Sequence, residues 1–191
     1  MNLNGLPDLD SSCGKYFSYR DFVECGETWQ IRRVNNVPTQ QATYTSLHRL
    51  AAQVLDPVVD HFGPVELTYG LACGALTKLI KKHIAPRVDQ HSAHELSKSG
   101  KLICDRGGAA CDFSIFEVDS LTVAQWVVRN TAFDRLYYYS ADRPIHVSTA
   151  SEPKRQVVLV KRDSERRQVR PIVVSQNQFL DMSISHEDEQ Q

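Results

Sequence analysis

Histidine is the side chain best suited to chemistry near neutral pH, and two of the seven histidines in this chain share one polar run, Asp89-Gln90-His91-Ser92-Ala93-His94-Glu95. The spacing is not His-Glu-x-x-His, so no general-base glutamate stands between two ligands of a helical zinc motif. Two other stretches supply further nitrogen and oxygen donors: Gly108-Ala109-Ala110-Cys111-Asp112-Phe113 and Pro144-Ile145-His146-Val147-Ser148. A histidine from a loop, an aspartate from one strand and a histidine from another make three ligands and leave the fourth tetrahedral position free, which is what a catalytic zinc ion needs. Asp112, His146 and one of the two loop histidines, His91 or His94, are therefore the expected ligands of one Zn2+ ion. The plainer readings are a solvated loop for the cluster, a turn cap or an Arg135 partner for Asp112, and a hydrogen-bonded core histidine for His146. Cys104 and Cys111 are candidate soft ligands, but Cys111 neighbours Asp112 on a strand and is expected to point to the opposite face.

The elements that must position these residues are legible as patterns. Leu47, Leu50, Ala51, Val54, Leu55, Val58, Val59 and Phe62 recur at helical spacing, with Thr43 and Thr45 as candidate N-caps and Pro57 as a kink. Gly63-Pro64 ends that helix, and Val65 to Tyr69 alternates as a strand. Gly74 to Ile84 reads as a short helix with a basic face, followed by a long polar excursion from Arg87 to Gly108. Ala109 to Phe116 is an expected strand, Ser120 to Asn130 a helix opened by Asp119 or Ser120, and Phe133 to Tyr139 and Ile145 to Ser148 two more strands. Tyr137, Tyr138 and Tyr139 alternate between the sheet faces, one towards the core and another towards the pocket. Gln156 to Val160 and Val169 to Val174 form a hairpin around a charged tip. Irregular alternation of helices and strands predicts an α+β fold rather than regular βαβ repeats.

With those residues in view, the chain resembles the zinc D-Ala-D-Ala carboxypeptidases and dipeptidases and the related phage endolysins, peptidase family M15. The family stretch is Ser-x-His-x-x-Gly-x-Ala-x-Asp, followed downstream by a strand bearing the last histidine. Ser92, Ala93 and His94 resemble its first half, Gly108, Ala110 and Asp112 its second, and Ile145-His146-Val147-Ser148 the last strand. The likeness extends to LDPVVDHFGPVELTYG and VAQWVVRNTAFDRLYYY, covering about residues 44 to 148. It implies a small antiparallel sheet flanked by helices, a zinc ion bound by His94, Asp112 and His146, with His91 as the alternative to His94, and hydrolysis of an amide bond in a peptidoglycan-like peptide. Three departures stand out: Glu95 to Gly107 separates the two halves of the stretch; Arg143 occupies the position of the family's general base, three residues before His146; and Tyr69-Gly70-Leu71-Ala72 replaces Ser-Gly-Tyr-Arg. Asp142 is then the expected proton acceptor, ahead of Glu95, and Arg143 the group that steadies an oxyanion or carboxylate. The alternative is a catalytically altered or inactive zinc protein on the same scaffold, binding a peptide or protein partner in a phage or bacterial-defence setting.

The whole chain sets the limits. Its 191 residues, 41% hydrophobic and 24% charged, fit one globular domain. The expected organisation is an N-terminal extension over 1–40, a metal-binding core over 41–150, a β-hairpin over 151–175 and a flexible tail over 176–191. A formal charge of -1 gives no reason to expect nucleic acid. The first seventeen residues lack a basic start and an apolar run, and no segment approaches a membrane span, so a cytoplasmic location is expected. Five cysteines, an odd set with irregular spacing, are expected to be reduced thiols.

Overall fold

The computed structural model describes residues 5–80, 90–163 and 168–183. Among these the chain forms an α+β fold around one six-stranded sheet, with strand order β1-β2-β4-β3-β5-β6. The strands are β1 (Glu66–Tyr69), β2 (Ala109–Ser114), β3 (Arg135–Tyr138), β4 (Ile145–Thr149), β5 (Gln156–Asp163) and β6 (Gln168–Val174). Neighbouring pairs are antiparallel except β3 and β5, which run parallel. The strands expected as a hairpin within 151–175 are β5 and β6, paired antiparallel, and β5 also pairs in parallel with β3, which joins them to the central sheet. The tip of that hairpin, 164–167, lies outside the described residues.

Helices α1 (Tyr19–Glu24), α2 (Glu27–Arg32), α3 (Gln41–Leu50), α4 (Asp56–Phe62), α5 (Gly74–Thr77), α6 (Ser120–Asn130) and α7 (Gln176–Leu180) complete the fold. The long amphipathic pattern expected from Thr43 to Phe62 is a continuous rod with a π-helical turn over Ala51–Leu55. Pro57 has no N–H to donate to the preceding turn, and it falls directly after the π-helical turn of that rod. Neither Thr43 nor Thr45 caps α3; Gln40 stands at that position without a side-chain bond. The capping work is done from a distance by the buried carboxylate of Glu95, which accepts from Thr39 N–H at 3.1 Å, Gln40 N–H at 3.3 Å and the Thr43 hydroxyl at 2.7 Å. In α6 the expected cap is Asp119, whose carboxylate accepts from Thr122 N–H at 2.8 Å.

Strand alternation sorts the sheet residues into two faces. Cys111, Phe113, Leu136, Tyr138, Ile145, Val147 and Val157 bury against helix residues such as Leu47, Leu50, Val54, Leu121, Val127 and Phe22 in one core. Helix α7, the first part of the segment expected as a tail, adds Phe179 to that core with no exposed surface. In the N-terminal region, α1 docks Phe22 and Val23 on the same core. The remainder of the helix expected to Ile84, with its basic face, lies outside the described residues beyond Ile80. Among the described residues no helix is long and apolar enough to cross a membrane.

Candidate metal centre

The opposite face of the sheet carries the polar site. Cross-strand register lines up Tyr69 of β1, Asp112 of β2, His146 of β4 and Tyr137 of β3 in one row. Over the middle of that row lies a short 3-10 turn, Gln90–Ser92, which delivers His91 from above. His91 Nε2 is 3.2 Å from Asp112 Oδ1 and 3.1 Å from His146 Nδ1, and His146 Nδ1 is 2.8 Å from the same carboxylate oxygen. His91, Asp112 and His146 are the described residues that could hold a metal ion together.

The backbone that builds this triangle explains why these positions are what they are. Gly108 enters β2 with φ +78°, and a Cβ there would lie 1.7 Å from the Thr149 carbonyl, so only glycine lets β2 start flush against the end of β4. Four residues on, and therefore on the same face as Gly108's even-numbered neighbour Ala110, Asp112 points away from the core while Cys111 is wholly buried in it. Gly70 is wedged under α1, where a Cβ would meet the Phe22 carbonyl at 2.2 Å. Its own carbonyl accepts from His91 Nδ1–H at 2.8 Å. A carbonyl can only accept, so the proton of His91 is fixed on Nδ1 and Nε2 is the nitrogen presented to the triangle.

The turn bearing His91 is itself anchored. Gln90 Nε2 donates to Asp134 Oδ2 at 2.8 Å, and the His91 carbonyl accepts from Ala72 N–H at 2.9 Å. After Ser92 the chain reverses through Ala93, which adopts a left-handed conformation at φ 44°. His94 is thereby carried away from the triangle towards α3. Its Nε2 accepts from Gly108 N–H at 3.2 Å and lies 3.0 Å from the Ser46 hydroxyl. Of the expected ligands, the structure brings Asp112 and His146 together and places His91, not His94, as the third. His94 instead braces the turn that feeds β2.

Electrostatics hold Asp112 in its charged form. Burial alone would raise its pKa, but the neighbouring His91 first, and then His146, outweigh that and keep the carboxyl well below its usual range. Three electron-rich atoms within 3.2 Å of one another need a proton or a cation between them. A tetrahedral zinc ion with bonds near 2.0–2.1 Å would set its ligands about 3.3 Å apart, so the triangle needs to open by only a few tenths of an ångström. The donor set, two imidazoles and one carboxylate, suits zinc chemically. Cys111 does not join it: burial pushes its thiol well above the ordinary value, and it lies on the other face. Cys104 is not part of the triangle either.

The side chains expected to move protons stand elsewhere. Asp142 and Arg143 are exposed in the turn leading into β4. Asp142 Oδ1 accepts from the Ser140 hydroxyl, and that hydrogen bond lowers its pKa. Glu95 is occupied at the start of α3. Two tyrosines flank the histidines: Tyr69, with its ring centroid 4.2 Å from that of His91, and Tyr137, one of the three expected to alternate between the sheet faces, 5.0 Å from His146. Comparison of the chain with models of known families, with curated proteins and with solved structures finds no match.

Proposed function

We propose that the protein is a zinc-dependent hydrolase on a carboxypeptidase-like scaffold, cleaving an amide bond in a peptidoglycan-like peptide, with His91, Asp112 and His146 as the metal ligands. The observation that carries this is the closed triangle of Nε2, Oδ1 and Nδ1, its edges 2.8–3.2 Å, in which His91 has its tautomer set by Gly70. When bound, zinc supplies Lewis acidity that polarises a carbonyl and acidifies water. The chain contributes three neutral or singly charged donors, so that one carboxylate offsets part of the ion's charge and leaves it electrophilic. The side chain of Asp112 is 26% exposed while those of His91 and His146 are 4% exposed, which opens the centre to solvent on the aspartate side. Asp142, exposed and made less basic by the Ser140 hydroxyl, makes no hydrogen bond to the triangle and would be a weak proton acceptor for it.

A second function is favoured by one specific observation: Glu95 is committed to α3, and Asp142 and Arg143 face solvent with no hydrogen bond to the triangle. A zinc-holding binding or accessory protein, acting on a peptide or protein partner without cleaving it, needs the ligands but no base. Metal analysis combined with hydrolysis of an N-acylated D-Ala-D-Ala peptide separates the two. Turnover that requires zinc and is abolished in His91→Ala supports the hydrolase, with Asp142→Asn keeping most of the rate. Stoichiometric zinc with no turnover supports the accessory protein.

A further inference from the structure

We infer that Tyr137 is a positioning residue for this centre: its ring receives the Nε2–H of His146 and so holds that imidazole in the tautomer whose Nδ1 is free to ligate. The inference rests on the proposed metal site and goes beyond it in assigning what sets the second histidine. Tyr137 and His146 are register partners on adjacent strands, with ring centroids 5.0 Å apart and planes at 88°. The two nitrogens of an imidazole lie on different edges of the ring. Nδ1 of His146 is turned towards β2, 2.8 Å from Asp112 Oδ1, and β3 with Tyr137 lies on the other flank of β4. The edge carrying Nε2 therefore faces Tyr137.

That Nε2 is buried and has no hydrogen-bond partner among the described residues. A buried N–H without an acceptor is costly, and the electron-rich face of an aromatic ring approached edge-on is the acceptor this geometry offers. The opposite tautomer would press a bare nitrogen lone pair against the same negative face. Tyr137 is itself held, buried beside Val158 and Val160 in a small cluster of their own. The two ligand histidines are thus oriented by different acceptors for their outward N–H groups: a backbone carbonyl for His91 and an aromatic face for His146. Outer partners of this kind fix which nitrogen a metal sees.

The test is nitrogen-15 NMR of the His146 side chain in metal-free and zinc-loaded protein, together with zinc affinity from competition with a chelating dye, for wild type, Tyr137→Phe and Tyr137→Leu. The expected result is a proton on Nε2 in both states, its resonance moved upfield by the ring current in wild type and Tyr137→Phe and returned in Tyr137→Leu. Zinc affinity falls about tenfold in Tyr137→Leu and is unchanged in Tyr137→Phe, the lower end of what loss of an outer partner costs a metal site. An Nε2 without a proton in wild type, or an unshifted Nε2 proton, overturns the inference; so does wild-type zinc affinity in a folded Tyr137→Leu. If wild type takes up no zinc, the metal assignment fails, while the shift of the Nε2 proton in metal-free protein still decides whether Tyr137 sets the tautomer. Should Tyr137→Leu not fold, the shifts in wild type and Tyr137→Phe decide it.

Discussion

Replacing Glu95 by glutamine separates a catalytic carboxylate from a structural one. The buried carboxylate accepts from Thr39 N–H and the Thr39 hydroxyl, from Gln40 N–H and from the Thr43 hydroxyl, so both oxygens are used as acceptors and neither is turned to the metal triangle. Glutamine is nearly isosteric but exchanges one acceptor for an NH2 group, which would face the Thr39 donors. The hydroxyl can rotate to accept, and the backbone N–H, 3.1 Å from both carboxylate oxygens, keeps the one that remains. Turning these charge-assisted bonds into neutral ones and losing the acceptor at Oε2 costs about 2–3 kcal/mol. For a domain of this size each kcal/mol lowers the melting temperature by about 2–4 °C, so a fall of about 4–12 °C is expected. Urea unfolding followed by far-UV circular dichroism gives the free energy, and the midpoint should drop with an unchanged slope. Zinc affinity of the folded fraction should stay within about threefold of wild type, since no metal donor has changed. A stability loss below about 0.5 kcal/mol, or a stable variant that binds zinc normally and loses all turnover, would show that Glu95 is not the anchor of α3 described above.

Three further outcomes follow from other parts of the fold. Gly108→Ala must lose at least about 3 kcal/mol of stability, because a side chain at φ +78° would also collide with the Thr149 carbonyl, and unfolding curves that match wild type would contradict the packing of β2 on β4. Burial and then the nearby charge of Arg49 lower the pKa of His94 from 6.5, with Glu95 opposing; the unfolded chain therefore binds more protons in the window below 6.5, and the stability His94 contributes is complete above that pH and lost as pH falls through its lowered value. Urea midpoints measured against pH should show that loss in wild type and a shallower one in His94→Gln. Burial pushes the thiols of Cys25 and Cys73 up to about 12, so iodoacetamide at pH 8 should label them slowly in native protein and fast in denaturant, and rapid native labelling would refute their burial.

Local pattern made most of the elements legible. The apolar spacing around Leu47 and Val54, the Asp119 cap and the alternation that sends Tyr138 inward and Tyr137 outward all depend on residues near one another in the chain. Asp112 and His146 were legible for the same reason, since strand alternation puts each opposite a core neighbour. The choice between His91 and His94 was not. It turns on a left-handed Ala93, on Gln90 reaching Asp134 and on Glu95 reaching α3, contacts that span between 44 and 56 residues of sequence. The parallel pairing of β3 with β5 was hidden similarly, because a crossing connection leaves no periodicity behind. Phe179 escaped notice as a lone aromatic in a polar tail, although Ser175 and Gln178 form a capping box that marks the start of α7.

The central claim is that His91, Asp112 and His146 hold one divalent ion. Zinc titration of metal-stripped protein by calorimetry, on wild type, His91→Ala and His94→Ala, tests it most directly. One equivalent should bind to wild type and to His94→Ala, and His91→Ala should lose at least about a hundredfold in affinity, as removal of a direct ligand exceeds the loss of an outer partner. No stoichiometric binding by wild type, or binding that survives in His91→Ala and disappears in His94→Ala, would contradict it.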